Sequence, residues 1–234
     1  MPISYESVTI SSTSHCQYVT SSGTLSQVAT ASSAGSVITA PPISGYVQCG
    51  VYATAAGRGA YNYVIRRVQL GFDVSSIQKY GTVTLTDDAS YPNLNKAVSL
   101  RLAAGAAPAN VGTAGCYAYF TPEFNATIHG YYDAVAIPES PEFQLVASGR
   151  SGTYPMSDTE LFTTSVQPNV GVIESALNNN ATIGIMIKHE HDRNYASVTP
   201  TTDAYVNATI YPHGTPPQLT LRVVPRTLYF GANF

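Results

Sequence analysis

The run from Ile65 to Ile77, IRRVQLGFDVSSI, constrains the fold more than any other part of this chain. Val64, Arg66, Val68 and Leu70 alternate with Ile65, Arg67, Gln69 and Gly71, the period of two that belongs to a β-strand. Val68, Leu70 and Phe72 share one parity. They are expected to lie on one face of a central strand, packed between two sheets. Asp73 and the pair Ser75-Ser76 follow at once. Short Asp and Ser side chains bond nearby backbone N–H groups, which stops a strand at a fixed turn.

Further short strands are expected at 46–53, 61–72, 81–87, 97–103, 115–120, 126–132 and 143–148, with Gly, Pro and Asn clusters between them. Such spacing belongs to a sandwich or barrel. One short helix is expected after Ser165. Pro168 suits a first turn with Ser165 as a cap, Val170, Ile173 and Leu177 form one apolar stripe, and Asn178-Asn179-Asn180 ends it. Residues 1–44 differ from the rest: they are rich in Ser and Thr, carry Glu6 as their single charged side chain, and close on Pro41-Pro42. They read as an N-terminal arm, reaching a neighbour by strand addition, or as edge strands of the body. The body is expected to span 45–224. Beyond it, 225–234 is apolar and aromatic, with Leu228, Tyr229, Phe230 and Phe234. That tail either folds back as an extra strand or docks on a partner; docking is the preferred reading, because aromatic anchors dominate interfaces.

Only 11% of residues are charged, with 11 basic and 14 acidic side chains. Arg66-Arg67 is the only adjacent basic pair, and neighbours on a strand point to opposite faces. A nucleic-acid footprint is therefore not expected. No segment approaches the roughly 18 apolar residues of a membrane span, and no signal peptide is read at the N-terminus. Low charge at near-average apolar content excludes a disordered chain and leaves a surface of hydroxyl, amide and tyrosine groups. Such a surface suits packing against protein. Cys16, Cys49 and Cys116 fit neither a disulfide framework nor a zinc spacing and read as small buried hydrophobes.

Few residues offer chemistry. His189, His191 and Asp192 are the weak candidates for a metal site: on a continuing strand the two imidazoles would share a face, with Cα atoms about 7 Å apart. The plainer reading, a hydrophilic loop leaving the core, is preferred, so no metal site is assigned. Asp87-Asp88 reads as a turn, with a structural calcium ion as the less favoured alternative. No G-x-S-x-G elbow occurs. The expectation is no catalytic residue, no cofactor and no enzyme.

The arginine–apolar–FD–x–SSI run resembles the central strand of DNRLRE-type jelly-roll modules, which are related to carbohydrate-binding modules and occur in surface proteins and in tailed-phage virions. Gly81–Leu85 stands where that family has its next strand. Ile183–Lys188, the polar stretch His189–Asn194, Ala204–Tyr211 and Pro216–Val223 match its closing elements. Residues Tyr91–Ala107 depart from the pattern, which leaves the strand order between 85 and 125 open. The resemblance implies an all-β jelly-roll β-sandwich with one short helix and extended terminal arms. It further implies a virion structural protein: a capsid decoration or cement subunit, or a tail- or fibre-associated one. Its partners would be other virion proteins and copies of itself, a trimer being favoured over a dimer. A carbohydrate-binding attachment module is the alternative, with glycan as partner, and a glycan-degrading enzyme is the third reading.

Overall fold

A computed structural model of the chain describes residues 6–19, 23–24, 27–28, 36–38, 47–58, 60–78, 83–85, 98–103, 115–121, 124, 143–144, 151–155, 167–193, 205–210 and 216–223. Eleven strands and three helices are described. In chain order they are β1 (Glu6–Val19), β2 (Ser36–Ile38), β3 (Val47–Gly57), β4 (Ala60–Asp73), α1 (Ser75–Gln78), β5 (Val98–Ala103), β6 (Gly115–Thr121), β7 (Phe143–Gln144), β8 (Ser151–Pro155), α2 (Gln167–Asn179), β9 (Thr182–His189), α3 (Glu190–Arg193), β10 (Tyr205–Ile210) and β11 (Gln218–Val223).

The ladders are antiparallel and form two sheets. One runs β1-β11-β5-β8, and the other runs β1-β4-β9-β6-β7. If β2, β3 and β10 are set aside and the other eight strands are renumbered along the chain, the sheets read 1-8-3-6 and 2-7-4-5. That interleaving is the double Greek key of a jelly roll. The fold is therefore all-β, a jelly-roll sandwich with one helix of several turns. α1 and α3 add single turns. For the described residues of the interval that the sequence left open, β5 lies between β11 and β8, and β6 between β9 and β7.

β1 belongs to both sheets. Residues 6–11 pair with β11, and the strand then pairs with β4 from Ser12 to Val19. The switch is a bulge between Ser12 and Ser14. Ser12 serves both sheets there: its N–H donates to Pro217 O at 2.7 Å, and its hydroxyl lies 2.9 Å from Ser14 O and 3.0 Å from Gly71 O. A bulge strands backbone groups, and a hydroxyl at this position re-satisfies them. Residues 6–19 thus lie at the edge of both sheets, one of the two readings of this segment: among the described residues 6–11 pair with β11 alone and 12–16 with β4 alone, and the strand joins the two sheets. The tail residues Leu228, Tyr229, Phe230 and Phe234 lie outside the described residues, as do Asp87-Asp88 and the expected strand at 126–132.

β4 is the spine. Along one edge it takes β1 and then Gly23; along the other it takes β9 and then β3. β3 and β4 meet in a tight hairpin whose Gly57 and Arg58 carry φ of 84° and 52°, the left-handed conformation such turns need. Val68, Leu70 and Phe72 are fully buried in the main core. They pack with Ile183, Ile185 and Ile187 of β9, Ala118 and Phe120 of β6, and Leu219 and Leu221 of β11. Asp73 ends the strand as its sequence implies: its carboxylate accepts from Ser75 N–H at 2.9 Å and from the Ser75 hydroxyl at 2.6 Å.

α2 covers one end of the core with Ile173, Ala176 and Leu177. It ends at Asn179, within the Asn178–Asn180 run expected to stop it. The Asn178 side chain ties this end of the helix to the chain at Val83. It accepts from Val83 N–H at 2.6 Å and donates to Val83 O at 3.1 Å, while Glu174 accepts from Leu85 N–H at 2.9 Å. Of the expected strand at 81–87, residues 83–85 are described; they are extended and held by helix side chains and by a bridge from Leu85 to Val223.

Candidate functional site

β4 is buried on both faces, which alternation alone would not predict for Arg67 and Gln69. On the face turned away from the main core, Arg67, Gln69, Thr121, Lys188, Cys16, Tyr18 and Met186 are all buried. Each polar group placed there needs a partner, since an unmatched buried one costs about 1–3 kcal/mol. Tyr18 donates its hydroxyl hydrogen to Gln69 Oε1 at 2.7 Å, and Gln69 Nε2 donates to Thr121 Oγ1 at 2.8 Å. Lys188 Nζ sits 4.8 Å from the centre of the Tyr119 ring, within cation–π range. Gly71 lies on the same face because a Cβ there would strike Ser14 Oγ and come within 2.8 Å of the Phe124 ring.

The end of β9 carries the densest chemistry. The strand stops at His189, and the turn α3 swings Asp192 onto Arg67. Arg67 Nε donates to Asp192 Oδ2 and its Nη2 to Oδ1, both at 2.7 Å. The pair is bidentate, with side chains 1% and 0% exposed. The strand does not continue through His191, as the disfavoured metal-site reading needed; it ends at His189 and α3 follows. His191 N–H donates to His189 Nδ1 at 3.1 Å, and the two rings lie 5.2 Å apart. His191 remains half-buried, with Nε2 3.9 Å from Glu190 Oε1.

His189 is fully buried, and among the described residues its Nε2 has no hydrogen-bond partner. Burial, reinforced by His191 and opposed by Asp192, lowers its pKa to about 4. The imidazole is therefore neutral near pH 7. Asp192 is engaged by Arg67, and among the described residues no three His, Cys, Asp or Glu side chains are placed to hold a metal ion. The grouping is a buried latch joining β4 to the end of β9.

Two features escaped the sequence reading. Arg67 and Asp192 are 125 positions apart, and nothing local signals the pair. Cys49 and Cys116 bring their sulfurs to 3.9 Å inside the main core. Their spacing in the chain carries no motif.

The fold and this latch define an antiparallel jelly-roll sandwich pinned by buried polar pairs. No protein-family model matches the chain, and no curated protein is similar to it.

Proposed function

We propose that the chain is a non-catalytic structural subunit of a tailed-phage virion, placed on the capsid as decoration or cement or built into the tail or a fibre. The observation that supports this most is the jelly-roll strand order, an architecture used by viral capsid and lectin domains. Fold alone does not assign function. The latch adds support, because Asp192 is tied to Arg67 and His189 is sealed in the core, so neither is poised to move a proton to a substrate. The scarcity of charge, 11% of residues, suits a surface that packs against protein. In this reading the subunit works as a homo-oligomer, a trimer being favoured, and contacts other virion proteins.

Particles purified on a gradient, dissociated and analysed by mass spectrometry test it. The chain should be present in stoichiometric amount, and antibody labelling should decorate the head or tail. Its absence from clean particles would refute the proposal.

One observation favours the alternative, a carbohydrate-binding attachment module. The outer face of the β1-β11-β5-β8 sheet exposes Thr9 and Thr220, with hydroxyls 3.0 Å apart, beside Arg101 donating to Gln218 at 3.1 Å. Hydroxyl, amide and guanidinium groups on one flat face can bond sugar hydroxyls. Selective binding on a glycan array, lost on Arg101→Ala, would support that reading against the first.

A further inference from the structure

We propose that Cys49 and Cys116 are a latent disulfide that staples β3 to β6 through the core. The two strands are not hydrogen-bonded to each other: β3 pairs with β4 and β10, and β6 with β7 and β9. Both thiols are fully buried, and their sulfurs stand 3.9 Å apart. A disulfide needs about 2.05 Å between sulfurs, so closure takes a shift of about 1.9 Å, within reach of side-chain rotation and a small strand adjustment. The third cysteine is the internal control. Cys16 lies in a separate cluster with Tyr18, Tyr119 and Met186, and burial raises its pKa to about 11. It is held as an unreactive thiol, since the thiolate is the nucleophile.

The oxidant is a small disulfide such as oxidised glutathione. One protein thiolate attacks it, forms a mixed disulfide and expels one glutathione thiolate. The second protein thiolate then attacks the protein sulfur of that mixed disulfide and expels the second glutathione. Two protein thiols are oxidised and one glutathione disulfide is reduced, and the two protons lost by the protein thiols pass through buffer to the two expelled glutathione thiolates. Since neither sulfur is exposed, exchange requires opening of the core. The bond should form readily during folding and slowly in the native protein, and once closed it should resist reductants. A subunit made in a reducing cell and later exposed to oxidising surroundings would thus gain a covalent staple.

The full chain is unfolded, refolded in a glutathione redox buffer or in excess reductant, alkylated and mapped by mass spectrometry. A Cys49–Cys116 linked peptide is expected from the oxidised sample, with Cys16 alkylated. The bond closes a span of 67 positions. The entropy removed from the unfolded chain should raise the melting midpoint by about 10 °C over the reduced protein. Cys16→Ala should keep that increment, and Cys49→Ala should abolish it. Three free thiols after oxidation, a main product containing Cys16, or a linked protein that melts below the reduced one would each overturn the proposal. The mapping uses the unaltered chain, so it stands even if a variant fails to fold.

Discussion

Asp192→Ala should destabilise the protein by about 3–5 kcal/mol, the cost of stripping one partner from a buried ion pair. Both charged groups are almost entirely removed from water, at 1% and 0% exposure, and two parallel bonds of 2.7 Å join them. Removing the carboxylate leaves the Arg67 guanidinium inside the fold without its counter-charge. Water cannot replace the lost partner unless the end of β9 opens. The pair itself contributes far less than this, because burying two charges already costs much of what their attraction returns. The double variant Arg67→Met with Asp192→Leu should therefore come back to within about 2 kcal/mol of the parent. The single variants Arg67→Met and Asp192→Leu close a cycle with the parent and the double variant; equilibrium urea unfolding followed by near-ultraviolet circular dichroism measures these four and Asp192→Ala, and the cycle isolates the coupling. An Asp192→Ala protein within about 1 kcal/mol of the parent, at unchanged urea dependence, would refute the assignment of this pair as a latch.

Three more expectations can be checked on the same protein. The neutral, buried His189 has a folded pKa of about 4 against an ordinary value of 6.5. The unfolded chain thus takes up its proton first as pH falls. Stability should drop by about 3 kcal/mol between pH 6.5 and pH 4 and then level for this group; thermal melts of His189→Phe should lack that part of the slope, and an identical pH profile would count against it. Phe72→Ala, at a site with 0% exposure, should cost about 3–5 kcal/mol, and an unchanged melt would remove Phe72 from the core. Deleting residues 1–19 takes out the strand between β4 and β11 and should give insoluble or unfolded chain; a soluble product with a native melting transition would show that β1 is dispensable.

Local chemistry is legible along this chain because it acts over a few residues. Alternation at Val64–Phe72 marks a strand and assigns its parity. Asp73 with Ser75 marks the stop, and the i, i+3, i+7 stripe ending at Leu177 marks the helix. Each rests on a repeat or on a side chain bonding its own neighbourhood. The same patterns misjudge what lies further off. His191 has strand spacing from His189, yet the strand ends there and α3 brings Asp192 onto Arg67, a partner that spacing does not name. The hydroxyl-rich, nearly uncharged segment around Val8 and Ile10 reads as an arm or as edge strands, since nothing local says that its first half pairs with β11 and its second with β4.

Composition and periodicity by themselves determined the all-β class, the parity of the central strand, the position of the helix and the scarcity of charged binding surface. Only the tertiary structure decided the strand order, the passage of β1 through both sheets, the double-sided burial of β4 and the meeting of Cys49 with Cys116. The physical reason is that a strand's period says which side chains share a face but not which strand lies beside it. Partners such as Arg67 and Asp192, 125 positions apart, are chosen when the two sheets close. Burying a charge is tolerable only where that closure supplies its counter-charge.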